Sequence, residues 1–419
     1  MADAAPTVVN KVRFIAAIIC SSAVACACAG RPAAPKPSQS YIFAWAGTDD
    51  VKGGGSDFLA VIDADTASPT YGLVVATVPV HAVGTMPHHA EMVMPPKGEW
   101  LFANGFMSGR TFLFDLDNRL APRLAATIDT VHGFVKPHSF TRLAGGNVVA
   151  TLQFGDGTRP GNPGGLVVFS PHGQLVKSAS AADPAFPNAP MRVYSLDVAP
   201  AADRIITTGS AMEDVPAAAV LQVWRLSDLK LLRTLAMPKI PGDTTTHYSF
   251  EARFLPGDST ALVNSWYCGF FLVSGLRTAA PRIEPLFSLP RPRNDFCGVP
   301  ALIGHFWIMP VGKAHEYVVF DVADPRHPRQ VSVLKADTTY FPHWMAREPH
   351  SNRIVVTSDE NDHRVLVARF DSVAGVLSWD STFRDPATRR LGVDFARTSW
   401  PHGSFGPAMP HGAIFSRTP

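Results

Sequence analysis

The chain has 419 residues, of which 46% are apolar and 17% charged, with a formal net charge of +2. That is ample apolar sequence for a large core. The balanced charge gives neither the basic footprint of a nucleic-acid binder nor a basic helix or polybasic tail for a membrane surface.

Lys11 and Arg13 precede the apolar run Phe14 to Ala29. The run is too short for a stable spanning helix, so residues 1–29 read as a signal peptide. Ala23-Val24-Ala25 supplies small residues for cleavage, with Ala27 and Ala29 as alternative ends. Cys26 follows directly, so lipid attachment there is the alternative to plain secretion. The expected location is periplasmic or extracellular, membrane-anchored in the lipoprotein version. Residues 30–40, rich in Ala, Pro and Lys, read as a linker, and 41–419 as one domain. Cys20, Cys26 and Cys28 fall in the leader, which leaves Cys268 and Cys297 in the mature body. They could pair in an oxidising compartment, but two cysteines are no disulfide framework.

From Tyr41 onward, short β-branched and aromatic runs alternate with Gly, Pro, Asp and Asn turns. Examples in chain order are Phe58 to Ile62, Thr111 to Phe114, Leu166 to Phe169, Val220 to Trp224 and Tyr317 to Phe320. These are strand signals, and no segment sustains a helical period, so the fold class is all-β. The strands also recur as a unit. HAEMVMPPKGEWLFA, from His89, aligns without a gap on HWMAREPHSNRIVVT, from His343. The other anchors of the pattern are His138, Tyr194, Phe250, a weak match near Asp295, and His411. Spacings of roughly 45 to 70 residues suit four-stranded propeller blades, and about seven fit the domain. The last strand, Ala413 to Phe415, would complete the blade begun at residue 41 and close the ring. A multi-sheet sandwich is the competing architecture.

In a propeller the innermost strand of each blade faces the axis, so His89, His138, His343 and His411 are expected to converge. His88 could replace or join His89 as a ligand, since strand alternation puts only one of the two toward the axis. Neutral imidazoles in such a ring suit Cu(II), Zn(II) or Ni(II), whereas calcium or magnesium needs more carboxylates. Glu91 and Glu251 are candidates to hold the second ring nitrogens. His132 and His402 are candidate rim residues. His172, His327, His350 and His363 lie in polar turns and read as solvated. The glycine clusters at Gly53 and Gly161 open no helix, so they read as turns and not as phosphate loops.

Further short motifs follow a recognisable order: Asp57 to Asp63, Ser68-Pro69-Thr70-Tyr71, His88-His89, His138 with Leu143 to Gly146, Glu251-Ala252-Arg253-Phe254-Leu255, Asp321 to Pro325, and Val393-Asp394-Phe395 with His411. In this order the chain resembles the selenium-binding proteins, whose members include copper-dependent methanethiol oxidases. The resemblance implies a seven-bladed propeller with a copper site. It also implies oxidation of a small thiol such as methanethiol by O2, with Glu251 or His132 as candidate acceptor of the thiol proton. Gly72 stands where selenium-binding members carry cysteine, so selenium attachment is not expected. Thr141 replaces a second histidine after His138, and the cysteine pair beyond the double histidine is absent. The alternative expectation is a non-enzymatic secreted propeller or lipoprotein that binds a ligand or an unidentified protein. Lactone hydrolysis on the same scaffold would call for Asp, Asn and Glu around calcium, which this histidine register does not offer.

Overall fold

The computed structural model describes residues 40–49, 55–131, 133–159, 161–290 and 295–416. Its strands form seven sheets, six of four strands and one of five, each running antiparallel from an inner to an outer strand. This is the expected seven-bladed β-propeller. The strand Ala408–Phe415 pairs with Tyr41–Thr48 through Ile42↔Phe415 and Ala44↔Ala413, so the two extremities of the domain share the first blade. The leader and the tether up to residue 39 lie outside the described residues. Ser40, placed at the end of the linker, belongs instead to the fold: it is buried and donates to Glu348 at 2.7 Å.

The burial pattern explains why the second and third strands of each blade read as unbroken apolar runs. Phe58–Asp63 and Pro163–Phe169 are buried on both faces, because each blade packs against its neighbours on both sides. The outermost strands, such as Arg123–Ile128 and Leu231–Ala236, are exposed or half-buried. Aromatic residues fill the wedges between blades. Trp45 is fully buried, with its ring 5.4 Å from Phe112 and 5.5 Å from Phe114 of the next blade. Burying a side chain of that size contributes about 3 kcal/mol.

The feature that positions the channel is a register break near the start of the inner strands. It falls between Pro87 and Ala90, Pro137 and Phe140, Val193 and Leu196, Ser249 and Glu251, and Pro342 and Trp344. In the closing blade it lies between Ala44 and Ala46, opposite the segment that holds His411. A bulge leaves backbone groups off the ladder and re-aims side chains. Those groups are satisfied by a polar residue on the second strand. Asn104 accepts from the backbone N–H of His88 (3.2 Å) and His89 (2.7 Å) and donates to the carbonyls of Pro137 (2.8 Å) and His138 (3.1 Å). Thr151 and Thr208 repeat the device: each accepts from a bulged N–H in its own blade and donates to the next blade's anchor, Tyr194 or Phe250. Thr357 donates to the carbonyl of His411 across the closure.

Replacing Asn104 with Ala would leave several buried backbone groups without partners. At about 1–3 kcal/mol for each unsatisfied group, Asn104→Ala should destabilise the protein by at least about 2 kcal/mol. Urea denaturation followed by tryptophan fluorescence would measure it; a change below about 0.5 kcal/mol would disprove the bridging role.

Candidate metal centre

Four consecutive blades contribute imidazoles to one end of the channel: His343 from the seventh, His411 from the first, His88 and His89 from the second, and His138 from the third. All are buried, none exposing more than 4% of its surface. The ring of His88 lies 4.0 Å from that of His411, 4.3 Å from His89, 5.1 Å from His138 and 5.3 Å from His343. The expectation that only one of His88 and His89 turns inward is corrected. The bulge in Pro87–Ala90 breaks strand alternation, and the two rings stack at 7° within the same cluster.

Hydrogen bonds fix which ring nitrogen is free. His138 Nδ1 is held by the carbonyl of Tyr194 at 2.8 Å and by Ser139 Oγ at 3.0 Å. His89 Nδ1 meets the same hydroxyl at 3.2 Å. His411 Nδ1 donates to the carbonyl of His88 at 2.7 Å, which turns Nε2 toward Asp359 Oδ1, also at 2.7 Å. His89 Nε2, His138 Nε2 and both ring nitrogens of His88 and His343 are buried without a partner. An unpartnered polar atom in the interior costs about 1–3 kcal/mol, so six of them converging on one spot indicate a missing electrophile. The histidine cluster can hold a metal ion. Imidazole donors with a single carboxylate suit a borderline or soft transition metal and not calcium or magnesium.

The electrostatics agree. Burial first, and then the neighbouring imidazoles, hold His88 and His89 well below the ordinary imidazole range. Burial does the same for His138 against the opposing Tyr194 carbonyl, and pushes His343 down to about 3. Burial disfavours ionisation of Asp359, but His343 and His411 outweigh it and keep that carboxyl well below the usual carboxylate range. His88, His89, His138 and His343 are therefore neutral at physiological pH, beside an ionised Asp359.

The remaining three blades supply aromatic residues at the equivalent positions. Tyr194, Phe250 and Phe296 form their own cluster, with Tyr194–Phe250 at 4.6 Å and Phe250–Phe296 at 5.1 Å. Tyr194 lies 3.9 Å from His138, and Phe296 stacks on His343 at 5.3 Å. The anchor expected near Asp295 is thus Phe296. Its segment is held by a disulfide between Cys268 and Cys297 and by Asn264 Nδ2 on the carbonyl of Cys297 at 3.0 Å. The imidazole half opens to a cavity of about 200 Å³ lined by Met86, Pro87, His88, Asp359, Met409 and His411.

The other sequence candidates sit elsewhere. Glu91 does not orient an imidazole; it is buried in an ion pair with Arg142 at 2.6 Å. Glu251 is bonded to Ser195 Oγ and Arg253 Nη1, each at 2.7 Å. Among the described residues, the carboxylate that shares ligand distance with the imidazoles is Asp359. His402 bonds Thr77 and packs on Phe58, away from the ring, and His132 lies outside the described residues. Gly72 has φ +82°, and a Cβ there would lie 2.5 Å from the carbonyl of Arg384, so cysteine does not fit. Sequence reasoning missed Asp359 and the buried, unpartnered hydroxyl of Tyr194. Asp359 follows the second strand of its blade, Arg353–Ser358, whereas the repeat pattern tracked only inner strands. That strand end reaches the same mouth, which is the signal that could have found it.

Fold and site together define a seven-bladed propeller with a histidine cluster at one channel mouth that could hold a metal ion. No family model matches the chain. It is 26% identical over 222 residues to a methanethiol oxidase of Hyphomicrobium sp., a match covering 48% of this chain and 49% of that protein. The matched segment thus spans about half the length of this curated relative. A solved structure of a hypothetical selenium-binding protein from Sulfolobus tokodaii superimposes with a TM-score of 0.69 at 13% identity, covering 92% of this chain and 94% of that one. A periplasmic gluconolactonase from Pseudomonas aeruginosa gives 0.58 at 14% identity, covering 91% and 99%. At such identities these structures speak for the fold alone. The likeness to methanethiol oxidase supports the family resemblance read from the sequence, and the solved structures support its fold.

Two outcomes are expected. In the metal-stripped protein the depressed imidazoles resist protonation while the unfolded chain takes protons near pH 6.5. For His343 that stability is fully present above this pH and lost as pH falls toward about 3, and His88, His89 and His138 act in the same direction. Urea midpoints at pH 7 and pH 5 would check this, and a flat profile would contradict it. In Gly412→Ala the new Cβ would lie 2.8 Å from the backbone nitrogen of Ala90 and 3.0 Å from the carbonyl of His88. It should displace the strand bearing the double histidine and weaken metal binding about tenfold in chelator competition.

Proposed function

We propose that the channel histidines hold copper and that the protein oxidises a small thiol, such as methanethiol, with O2. The observation that carries this reading is the convergence of unpartnered, neutral imidazole nitrogens beside a small cavity. The donor chemistry suits copper, and the likeness to methanethiol oxidase supplies the reaction. Bound copper would supply thiolate affinity and one-electron chemistry. The chain does the rest. His88, His89, His138, His343 and His411 would be the ligands. The carbonyls of Tyr194 and His88 and the hydroxyl of Ser139 set their ring orientation.

Asp359 lies in the cavity wall, partly exposed and ionised, where its charge would offset that of bound copper beside an entering thiol. Glu251, bonded to Ser195 and Arg253, does not line this cavity, and His132 lies outside the described residues. Met86 and Met409 give the entrance two polarizable thioethers, which favour a sulfur compound over a hydrated one. A cavity of about 200 Å³ admits a molecule of a few heavy atoms. Tyr194, Phe250 and Phe296 close the opposite side of the channel to water.

The Cys268–Cys297 disulfide supports a location outside the reducing cytosol, as the signal-like leader does. Secretion, and lipid attachment at Cys26, belong to this proposal.

The test is copper reconstitution followed by oxygen uptake with methanethiol and detection of sulfide and peroxide. His138→Ala should lower thiol-dependent uptake by about 100-fold. A reconstituted protein that binds copper yet consumes no oxygen with short thiols would refute the reaction.

A further inference from the structure

The donor atoms at the channel mouth do not form one set. His88, His89 and His138 bring ligand atoms within 4.8 Å of one another, and so do His88, His343, Asp359 and His411. The two sets share His88 alone, and neither takes in the remaining members of the other at that distance. His88 belongs to both, and both of its ring nitrogens lack a partner. The two groups reach it from different directions: His88 lies 4.3 Å from His89 and 4.0 Å from His411, while His89 is 6.1 Å from His411 and 5.9 Å from His343.

We propose that the channel mouth holds two transition-metal ions side by side, with His88 between them as an imidazolate that gives one nitrogen to each, its N–H proton being released to solvent as the second ion binds. The inference rests on the reading that this cluster binds metal, and adds the second ion.

The two positions differ in chemistry. The inner one is made of imidazoles only and is closed off by the ring of Tyr194 against His138 at 3.9 Å. The outer one includes the Asp359 carboxylate, which balances part of the added charge. His88, Asp359 and His411 line the cavity, whereas His89 and His138 do not. Small molecules therefore reach the outer ion, and the inner one is shielded. In the structure the outer donors are partly engaged with one another, His411 Nε2 on Asp359 Oδ1 at 2.7 Å. An ion entering there would replace that contact.

The experiment is copper stoichiometry on the full chain. Metal-stripped protein is loaded with Cu(II) alone, desalted, and analysed by mass spectrometry for metal and by electron paramagnetic resonance after oxidation with ferricyanide. Two equivalents are expected in the wild type, with one lost in His138→Gln and one lost in Asp359→Asn. His89→Gln serves as a second inner variant, and circular dichroism verifies the fold of each. The adjacent spins should couple, so the integrated signal should fall below the copper content. One equivalent in the wild type, unchanged by Asp359→Asn, would overturn the second ion and leave the proposed function standing. No bound copper at all would remove both. Two equivalents with a full, uncoupled signal would overturn the shared His88.

Discussion

A hydrogen bond between blades carries the rest of this structure: a polar side chain on the second strand of one blade grips the carbonyl of the next blade's channel residue. Asn104 on His138, Thr151 on Tyr194, Thr208 on Phe250 and Thr357 on His411 all follow it. Each channel residue sits in a bulge, where the strand ladder cannot satisfy its backbone. The neighbouring blade supplies what the ladder withholds. The same bond that seals one blade to the next therefore also aims an imidazole or an aromatic ring at the axis. Fold and site share one device, and neither can drift without the other.

That coupling supports an arrangement that is costly by itself. Several neutral imidazoles with free nitrogens are packed in a dry interior, against the general rule that buried polar atoms are bonded. The scaffold offsets this with broad apolar contact between blades and with fully buried tryptophans such as Trp45, Trp224, Trp307 and Trp344. Strain of this kind, concentrated at one end of a well-packed molecule, marks a place where selection has favoured chemistry over stability. Across the ring the Tyr194 hydroxyl is also buried without a partner. Tyr194, Phe250 and Phe296 complete the circle with ordinary aromatic packing.

Much of this was legible in the residues. Turn-punctuated apolar runs gave the strands, and the match of His89 to His343 gave the repeat. The repeat brought His138 and His411 into the same circle without sequence proximity. What escaped was set by events that a period-two strand pattern cannot express. A bulge, not alternation, decides that both His88 and His89 turn inward. Asp359 follows a second strand, outside the frame on which the repeats were aligned. Glu91 and Glu251 have the right residue type, yet arginines claim them: Arg142 holds Glu91 at 2.6 Å and Arg253 holds Glu251 at 2.7 Å. A buried carboxylate follows the strongest cation in reach, and sequence spacing alone does not reveal which cation that is.

Ring closure has a consequence for the order of assembly. His411 lies on the strand that joins the two extremities of the domain, and it meets His88 only when that strand pairs with Tyr41–Thr48. A chain with its second and third blades formed already owns His88, His89 and His138, but has no carboxylate-bearing pocket beside them. The solvent-facing ligand group comes into being with the final seam. The group of His88, His343, Asp359 and His411 is therefore complete only in a molecule whose ring has closed.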